Sequence, residues 1–415
     1  MRPLRSYMNT VFTTFLFVFI FISIHAQDYS GITKTHMIQS KVFDAERQVD
    51  VFIPSDYEER KDSLTLLIVF DAQFEPYFDM VADMAYYLSA IGEFDETIVV
   101  GIHTYHRPKE FTPVPTNPKT RENWGETPIG EGPKLEAYLK TEVMPLVNEN
   151  YRCGPITIGI GHSLGGLFVT NAAFNGSELF NGVISISPNM VYDYGQPVNR
   201  IDSVLKSDNH PRVFHYMTAG DVGRMENSFR SGAEKADSIY QANPSEKVIW
   251  HYAKYEGKNH SLTPMYSIGD GLRAFYNFWN ISDATALRFV ANNEKTFAEQ
   301  VEEHLIKKEE WLGKPLPPLS STELNGLGYL AANEDRWDEA LTIFEYAIGL
   351  HPDDANLYDS RGEALENMEK IEEAHKSYSK ALKVLAETKD SISAEDYEYY
   401  LETFTANKER TSKLK

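Results

Sequence analysis

The chain has 415 residues, 42% of them hydrophobic and 13% aromatic, which suffices for two or more domains and a sizeable core. Lys and Arg number 40 against 61 Asp and Glu, and the formal charge of −21 argues against nucleic acid and anionic membrane surfaces as partners. The single cysteine, Cys153, excludes an internal disulfide and a cysteine-based metal cage.

Residues 1–27 read as an export signal. Arg2 and Arg5 give a basic start, and residues 11–24 form a mostly apolar run of 14 residues, too short for a comfortable membrane span. Ile24-His25-Ala26 before Gln27 reads as a small-residue cleavage site. No cysteine lies there to carry a lipid, so a periplasmic or secreted protein without a membrane anchor is expected.

Strands and helices then alternate, the pattern of an α/β sheet with mostly parallel strands. Strand-like runs cover 49–53, 64–70, 97–102, 156–160, 183–186, 213–217 and 248–252. The run at 64–70 is nearly continuous in apolar residues, as in a strand buried on both faces. Helical periodicity covers 77–91, 133–148, 164–174, 227–241 and 265–279. Residues 104–132 are rich in Pro and Gly and have no clear period, which predicts a long functional loop.

The strand at 156–160 runs into Gly161-His162-Ser163-Leu164-Gly165, and a helical stretch follows. Gly-x-Ser-x-Gly between strand and helix is the context of a nucleophile elbow. The sharp turn presents the serine at a helix N-terminus, where backbone amides point at a developing oxyanion, and the two flanking glycines are expected to give it room.

A serine at neutral pH needs a base. His260, in the polar loop after the strand at 248–252, is placed to reach Ser163, whereas His162 leaves the elbow in the wrong direction and His215 sits inside a strand. For the acid that orients the histidine, Asp221 stands first, directly after the stretch Val213–Gly220 that contains the strand at 213–217. Glu226 is its rival, and a Ser–His dyad without an acid is the third reading. The expected oxyanion donors are the amides of Leu164 and of Ala72 or Gln73 in the loop after residues 64–70, a turn that Asp71 is placed to pin.

Arg107 is a candidate for meeting an anionic substrate group, although pairing with a local carboxylate such as Glu110 is the plainer reading. His103, Tyr105 and His106 share its loop and, with Tyr192 and Tyr194, are candidate pocket walls. No metal or nucleotide motif appears, so neither a metal nor another cofactor is expected.

Near residue 281 the pattern changes. A charged helical stretch at 284–312 leads to Gly313-Lys-Pro-Leu-Pro-Pro318, and residues 282–320 read as a helical, Pro-containing linker. Beyond it Gly328/Gly362, Ala340/Ala374, Phe344/Tyr378 and Ala347/Ala381 recur at a spacing of 34 residues, and Pro352 closes the first copy. This resembles the tetratricopeptide repeat, in two copies over 321–388, followed by a capping helix and tail at 389–415. Such arrays present surfaces to partner chains, so a protein partner or self-association is expected here.

Phe70-Asp71-Ala72, Val99-Val-Gly-Ile102, Arg107, Glu110-Phe-Thr-Pro113, Gly161-His-Ser-Leu-Gly-Gly166, Ser187-Pro188 and Glu256-Gly-Lys-Asn-His260 together resemble the putative-esterase group of α/β hydrolases. That group includes enterochelin (ferric-siderophore) esterase-like enzymes and is related to S-formylglutathione hydrolase and feruloyl esterases. The resemblance covers about residues 40–280 and departs from the group at Ala72, where glycine is common. It implies an α/β-hydrolase fold over 28–281 and a serine esterase that cleaves a small carboxylic ester through an acyl-enzyme. Two other readings stand beside it: an acyltransferase on the same site, and a scaffold working through the repeat tail. The intact Ser163 and His260 count against the scaffold.

Overall fold

The computed structural model describes residues 30–59, 63–176, 178–207, 212–292 and 294–414; the expected export signal at 1–27 lies outside them. The strands are β1 (Gly31–Ser40), β2 (Ala45–Pro54), β3 (Leu64–Phe70), β4 (Thr97–Ile102), β5 (Cys153–His162), β6 (Gly182–Ile186), β7 (Val213–Val222) and β8 (Val248–Asn259). They form one sheet in the order β1-β2-β4-β3-β5-β6-β7-β8. β2 is antiparallel to both its neighbours, and every other pairing is parallel. The sheet is therefore mostly parallel, as the alternation of strands and helices implies. β1 is an addition to the strands legible in the sequence. It is an edge strand with mostly exposed side chains, so it carries no apolar face to betray it.

All seven residues of β3 are buried. Leu66, Ile68 and Phe70 enter one core, and Leu67 and Val69 the other, which is the two-residue period of a strand covered on both faces. Helices α1 (Glu75–Ala90) and α9 (Thr263–Trp279) cover the Leu67 face with Val81, Ala85, Ile268 and Phe275. The Ile68 face is covered by α4 (Gly132–Tyr138), α6 (Leu164–Phe174), α7 (Tyr192–Leu205) and α8 (Arg224–Ala242). The stretch read as a loop at 104–132 holds two short helices, α2 (Arg107–Phe111) and α3 (Pro118–Trp124), each with proline in its first turn. A π-helical turn at Leu139–Val143 joins α4 to α5 (Met144–Asn150).

The C-terminal region is all helical: α10 (Asp283–Val290), α11 (Phe297–Leu312), α12 (Ser321–Asn333), α13 (Trp337–Leu350), α14 (Ala355–Asn367), α15 (Ile371–Glu387) and α16 (Ala394–Lys413). α11 docks on the sheet region, with the Trp311 ring 4.9 Å from that of Phe278 and Lys308 Nζ 4.6 Å from the Trp279 ring centre. α10 and α11 fall within the segment read as a helical linker, and α11 is packed against the sheet region. The 34-residue spacing recurs in the packing. A Cβ on Gly328 would come within 2.2 Å of the Phe344 ring, and one on Gly362 within 2.6 Å of Tyr378. The turns at Asp335 and Glu369 share φ of 60°, and both close by amide bonds from Arg336 to Ala331 O and from Lys370 to Leu365 O. Among the described residues no helix is long and apolar enough to cross a membrane.

Candidate active site

Ser163 stands between β5 and α6 at φ 62°, ψ −115°, a conformation that residues with a Cβ avoid. Three backbone bonds hold it there: Ser163 N to Ile186 O at 2.9 Å, Leu167 N to Ser163 O at 3.0 Å, and Asn189 N to Ser163 O at 3.3 Å. The need for glycine differs in part from the sequence reading. At Gly161 a Cβ would meet Gly165 O at 2.3 Å, so nothing larger fits. At Gly165 the nearest neighbour is 3.7 Å away, which is ordinary contact. The tighter position is Gly166, 3.1 Å from Gly161 O and Ile186 O, because it is the residue that faces the ends of β5 and β6.

His260 follows β8 directly and lines the same cleft as Ser163. Its Nδ1 lies 2.6 Å from Glu226 Oε2. Asp221 does not stand beside it, and this corrects the first-ranked acid. β7 continues past residue 217 to Val222 and stays paired with β8 out to Asn259. Asp221 is therefore still a strand residue, and its Oδ1 accepts from the Gly257 amide at 2.7 Å while Oδ2 lies 4.0 Å from Lys254 Nζ. The chain turns only at Gly223, φ 99°, and α8 then places Glu226 in its first turn, where the helix dipole favours a carboxylate. The helical periodicity read from the sequence begins only at 227 and leaves Glu226 outside it; Gly223, three residues before Glu226, is the local mark of the earlier start.

Glu226 is 1% exposed. Its Oε1 accepts from Ser187 Oγ at 2.7 Å and from the Gly220 amide, and Ser187 Oγ lies 2.8 Å from Thr263 Oγ1. Burial pushes the Glu226 carboxyl up, but the bonds from His260, Ser187 and Gly220 outweigh it and hold it below the usual carboxylate range. His162 Nε2 donates to the His260 carbonyl at 2.9 Å, and the two rings lie 4.4 Å apart. Burial, with the nearby His260 adding to it, pushes His162 down to about 3. A neutral neighbour does not oppose positive charge on His260.

The oxyanion loop also sharpens the expectation. The Ala72 amide is spent on Ile102 O at 3.2 Å and is not available to a ligand. Among the described residues the amides of Gln73 and Leu164 donate to nothing, so these two remain. The Gln73 side chain fixes the loop, giving Nε2 to Asp71 Oδ1 at 3.0 Å and accepting the Thr104 amide at 2.8 Å. Arg107 lines the cleft, but its partner is Asp71: Nε reaches Oδ1 at 2.8 Å and Nη2 reaches Oδ2 at 3.0 Å. Glu110, read as that partner, is taken by the buried Arg47, Nη1 to Oε1 at 3.1 Å.

The other candidate wall residues lie elsewhere. His103 Nε2 meets Asp50 Oδ2 at 2.6 Å, so the side chain turns toward β2. Tyr105 lies against the Arg47 guanidinium, 4.3 Å from ring centre to Cζ. Tyr192 is buried, with its hydroxyl on Pro113 O at 3.0 Å, and lines a separate hollow of about 320 Å³ with Trp124, Tyr194 and Phe229. Phe229 connects that hollow to the site, its ring edge-on to His260 at 5.3 Å. The residues brought together in the cleft of about 620 Å³ are thus Ser163, His260, Gln73 and Arg107, while His103, Tyr105 and Tyr192 are outside it.

Residues 40–280 match the model of the putative esterase family. No curated protein matches the chain. Among solved structures, an IroE-like serine hydrolase from Shewanella oneidensis is 16% identical with a TM-score of 0.60, covering 76% of this chain and 99% of its own. An uncharacterised protein from Capnocytophaga ochracea is 19% identical with a TM-score of 0.62, covering 85% of this chain and 94% of its own. The siderophore hydrolase EstA from Aspergillus nidulans is 15% identical with a TM-score of 0.50, covering 59% and 94%. At these identities the likeness is one of fold. The family match, which spans more than half of the chain, together with the sheet and the elbow at its centre, makes this chain a member of the putative esterase family and a hydrolase acting on esters.

Proposed function

We propose that the chain is an exported serine esterase. Ser163 Oγ attacks the ester carbonyl, and His260 Nε2 takes its proton and passes it to the departing alcohol. The carbonyl oxygen, now negative, is held by the amides of Leu164 and Gln73. The C–O bond breaks, leaving an acyl group on Ser163. Water then attacks it with His260 again as base, releasing the acid and restoring Ser163. Glu226 holds His260 in the tautomer with hydrogen on Nδ1 and stabilises the imidazolium. The observation that carries this reading is the 2.6 Å contact of His260 Nδ1 with the buried Glu226, which leaves Nε2 for the cleft that contains Ser163. Export rests on the basic start and apolar run of residues 1–27. The helical repeats are read as tetratricopeptide-like and as the surface for a partner chain or a second copy.

The test is labelling of the full chain with a fluorophosphonate, with peptide mapping, alongside hydrolysis of p-nitrophenyl acetate. Label on Ser163 and loss of both label and hydrolysis in Ser163→Ala are expected. Wild-type hydrolysis by Ser163→Ala sinks the assignment. Mass spectrometry of the protein from its own host should give an N-terminus near Gln27; an intact 1–27 segment in the membrane fraction overturns export with release.

A further inference from the structure

The walls of the catalytic cleft differ in chemistry. Beside the polar groups already described, Phe74, Tyr77, Met80, Met225 and Met265 line it. Phe74, Met225 and Met265 are 63%, 51% and 61% exposed, and Leu262 beside them is 44% exposed. Large apolar side chains gathered at the mouth of one cleft mark a surface built to be covered. Two of them, like the half-buried Met80, are methionines, whose unbranched, polarisable side chains adapt to a flexible apolar ligand.

The charges point the same way. Among the described residues Arg107 is the one cation lining this cleft apart from its histidines, and Asp71 holds both its Nε and its Nη2. The pair presents no net charge, and the chain as a whole carries −21. A multiply anionic substrate meets no unpaired lysine or arginine among these lining residues. A hydrocarbon chain meets thioethers and a phenyl ring.

We propose that the acyl half of the substrate is an unbranched aliphatic chain of medium length, lying against Phe74, Met225 and Met265 with its carbonyl at Ser163. This rests on the reading of Ser163 as the nucleophile. The chain is transferred to Ser163 Oγ and released as the fatty acid by water, as in the steps above, so the apolar wall is used in both halves of the reaction.

The experiment is a chain-length series on the full protein: kcat/KM for p-nitrophenyl acetate, butyrate, hexanoate and octanoate, each below its solubility limit. Each methylene buried raises kcat/KM by up to about fourfold, so a rise of at least about tenfold from acetate to octanoate is expected. In Met265→Ser the octanoate-to-acetate ratio should fall about threefold or more, and Met265→Leu should keep it. A ratio that is flat or falls with length, a preference for an anionic catechol-bearing ester, or a ratio unmoved in Met265→Ser overturns the proposal while leaving the esterase intact. If no ester is cleaved and the fluorophosphonate leaves Ser163 unlabelled, the serine mechanism and this proposal fall together.

Discussion

Left-handed backbone appears in both regions of the molecule and does different work in each. In the helical region it falls at Asp335 and Glu369, the turns after α12 and α14, where amides of the next residues close onto the last helical carbonyls. In the sheet region, besides turns at Asp44, Glu178, Asp193 and Tyr194, it falls at Asp71, Ser163 and Ser187, directly after β3, β5 and β6. At these three the turn aims a side chain: Asp71 at Arg107, Ser163 into the cleft, Ser187 at Glu226. The same dihedral angle ends a helix in one region and builds a site in the other. The helical turns recur at a fixed spacing because each copy has the same local task. The strand-end turns are each unlike the others, because each serves a different partner far away in sequence.

The sharpest way to break this comparison is to remove a partner that the strand-end turns position. Glu226→Gln keeps the shape but cannot hold an imidazolium, and kcat on p-nitrophenyl esters should drop about 10³- to 10⁴-fold, as when a triad carboxylate becomes its amide. Asp221→Asn, whose carboxylate meets the Gly257 amide, should stay within a few-fold. Steady-state kinetics on both variants decide it. A large loss in Asp221→Asn with Glu226→Gln near wild type returns the role to Asp221.

These two residues also show where the sequence was legible. The elbow is a local signal, five residues set between a strand and a helix, and Ser163 could be placed from it. The 34-residue repeat is local too, and the Gly328–Phe344 and Gly362–Tyr378 contacts occur at the spacing that the sequence displays. Glu226 depended on where β7 ends. Residues 218–222 lose the apolar run, so the strand looks finished at 217, yet pairing with β8 carries it to Val222 and turns Asp221 away. Arg107 failed for a related reason. Its local carboxylate, Glu110, is claimed by Arg47 from β2, and its true partner is 36 residues back at Asp71. No pattern along the chain records which of several charges will meet.

Ser163 tests the strain directly. Its φ of 62° and ψ of −115° lie outside the left-handed helical well, at a cost of order 1–3 kcal/mol. Ser163→Gly should therefore be more stable to urea than Ser163→Ala by about 1–2 kcal/mol, both being inactive. Asp335→Gly should shift stability by well under 1 kcal/mol, because Asp tolerates that turn. Equal stability of Ser163→Gly and Ser163→Ala shows that the elbow is unstrained.

Protonation is where the two regions behave alike. Burial pushes His162 and His215, both at the sheet, down to about 3, and His304 on α11 down to about 4. Above pH 6.5 these rings are neutral in folded and unfolded chains alike. Below it the unfolded chain takes up protons that the folded chain refuses, so stability is lost as pH falls toward 3–4, by up to about 1.4 kcal/mol per pH unit for each ring. Glu226, held below its ordinary range, adds a loss of the same sign at more acidic pH. Urea unfolding at pH 7.5 and 5.5 should show the drop, and His215→Gln should shrink it by about 1.4 kcal/mol. A drop unchanged in His215→Gln means that the ring takes up its proton as readily in the fold as in the unfolded chain.

The smallest effect is expected in the repeats, where α12 carries two glycines with opposite surroundings. A Cβ added at Gly326 would have no atom within 4 Å, whereas one added at Gly328 would lie 2.2 Å from the ring of Phe344, which is itself fully buried. Alanine in a helix is worth up to about 1 kcal/mol over glycine when space allows, so Gly326→Ala should stabilise by about 0.5–1 kcal/mol. At Gly328 the same gain is set against moving a packed phenyl ring, which costs about 1–3 kcal/mol, so Gly328→Ala should destabilise by about 1–2 kcal/mol. Both glycines share one helix, so propensity cancels between them and the difference reads the ring contact alone. Thermal melts of the two variants measure it. Equal stabilisation by both would mean that Phe344 yields freely, and the 34-residue spacing would then reflect sequence likeness without a shared demand for close packing.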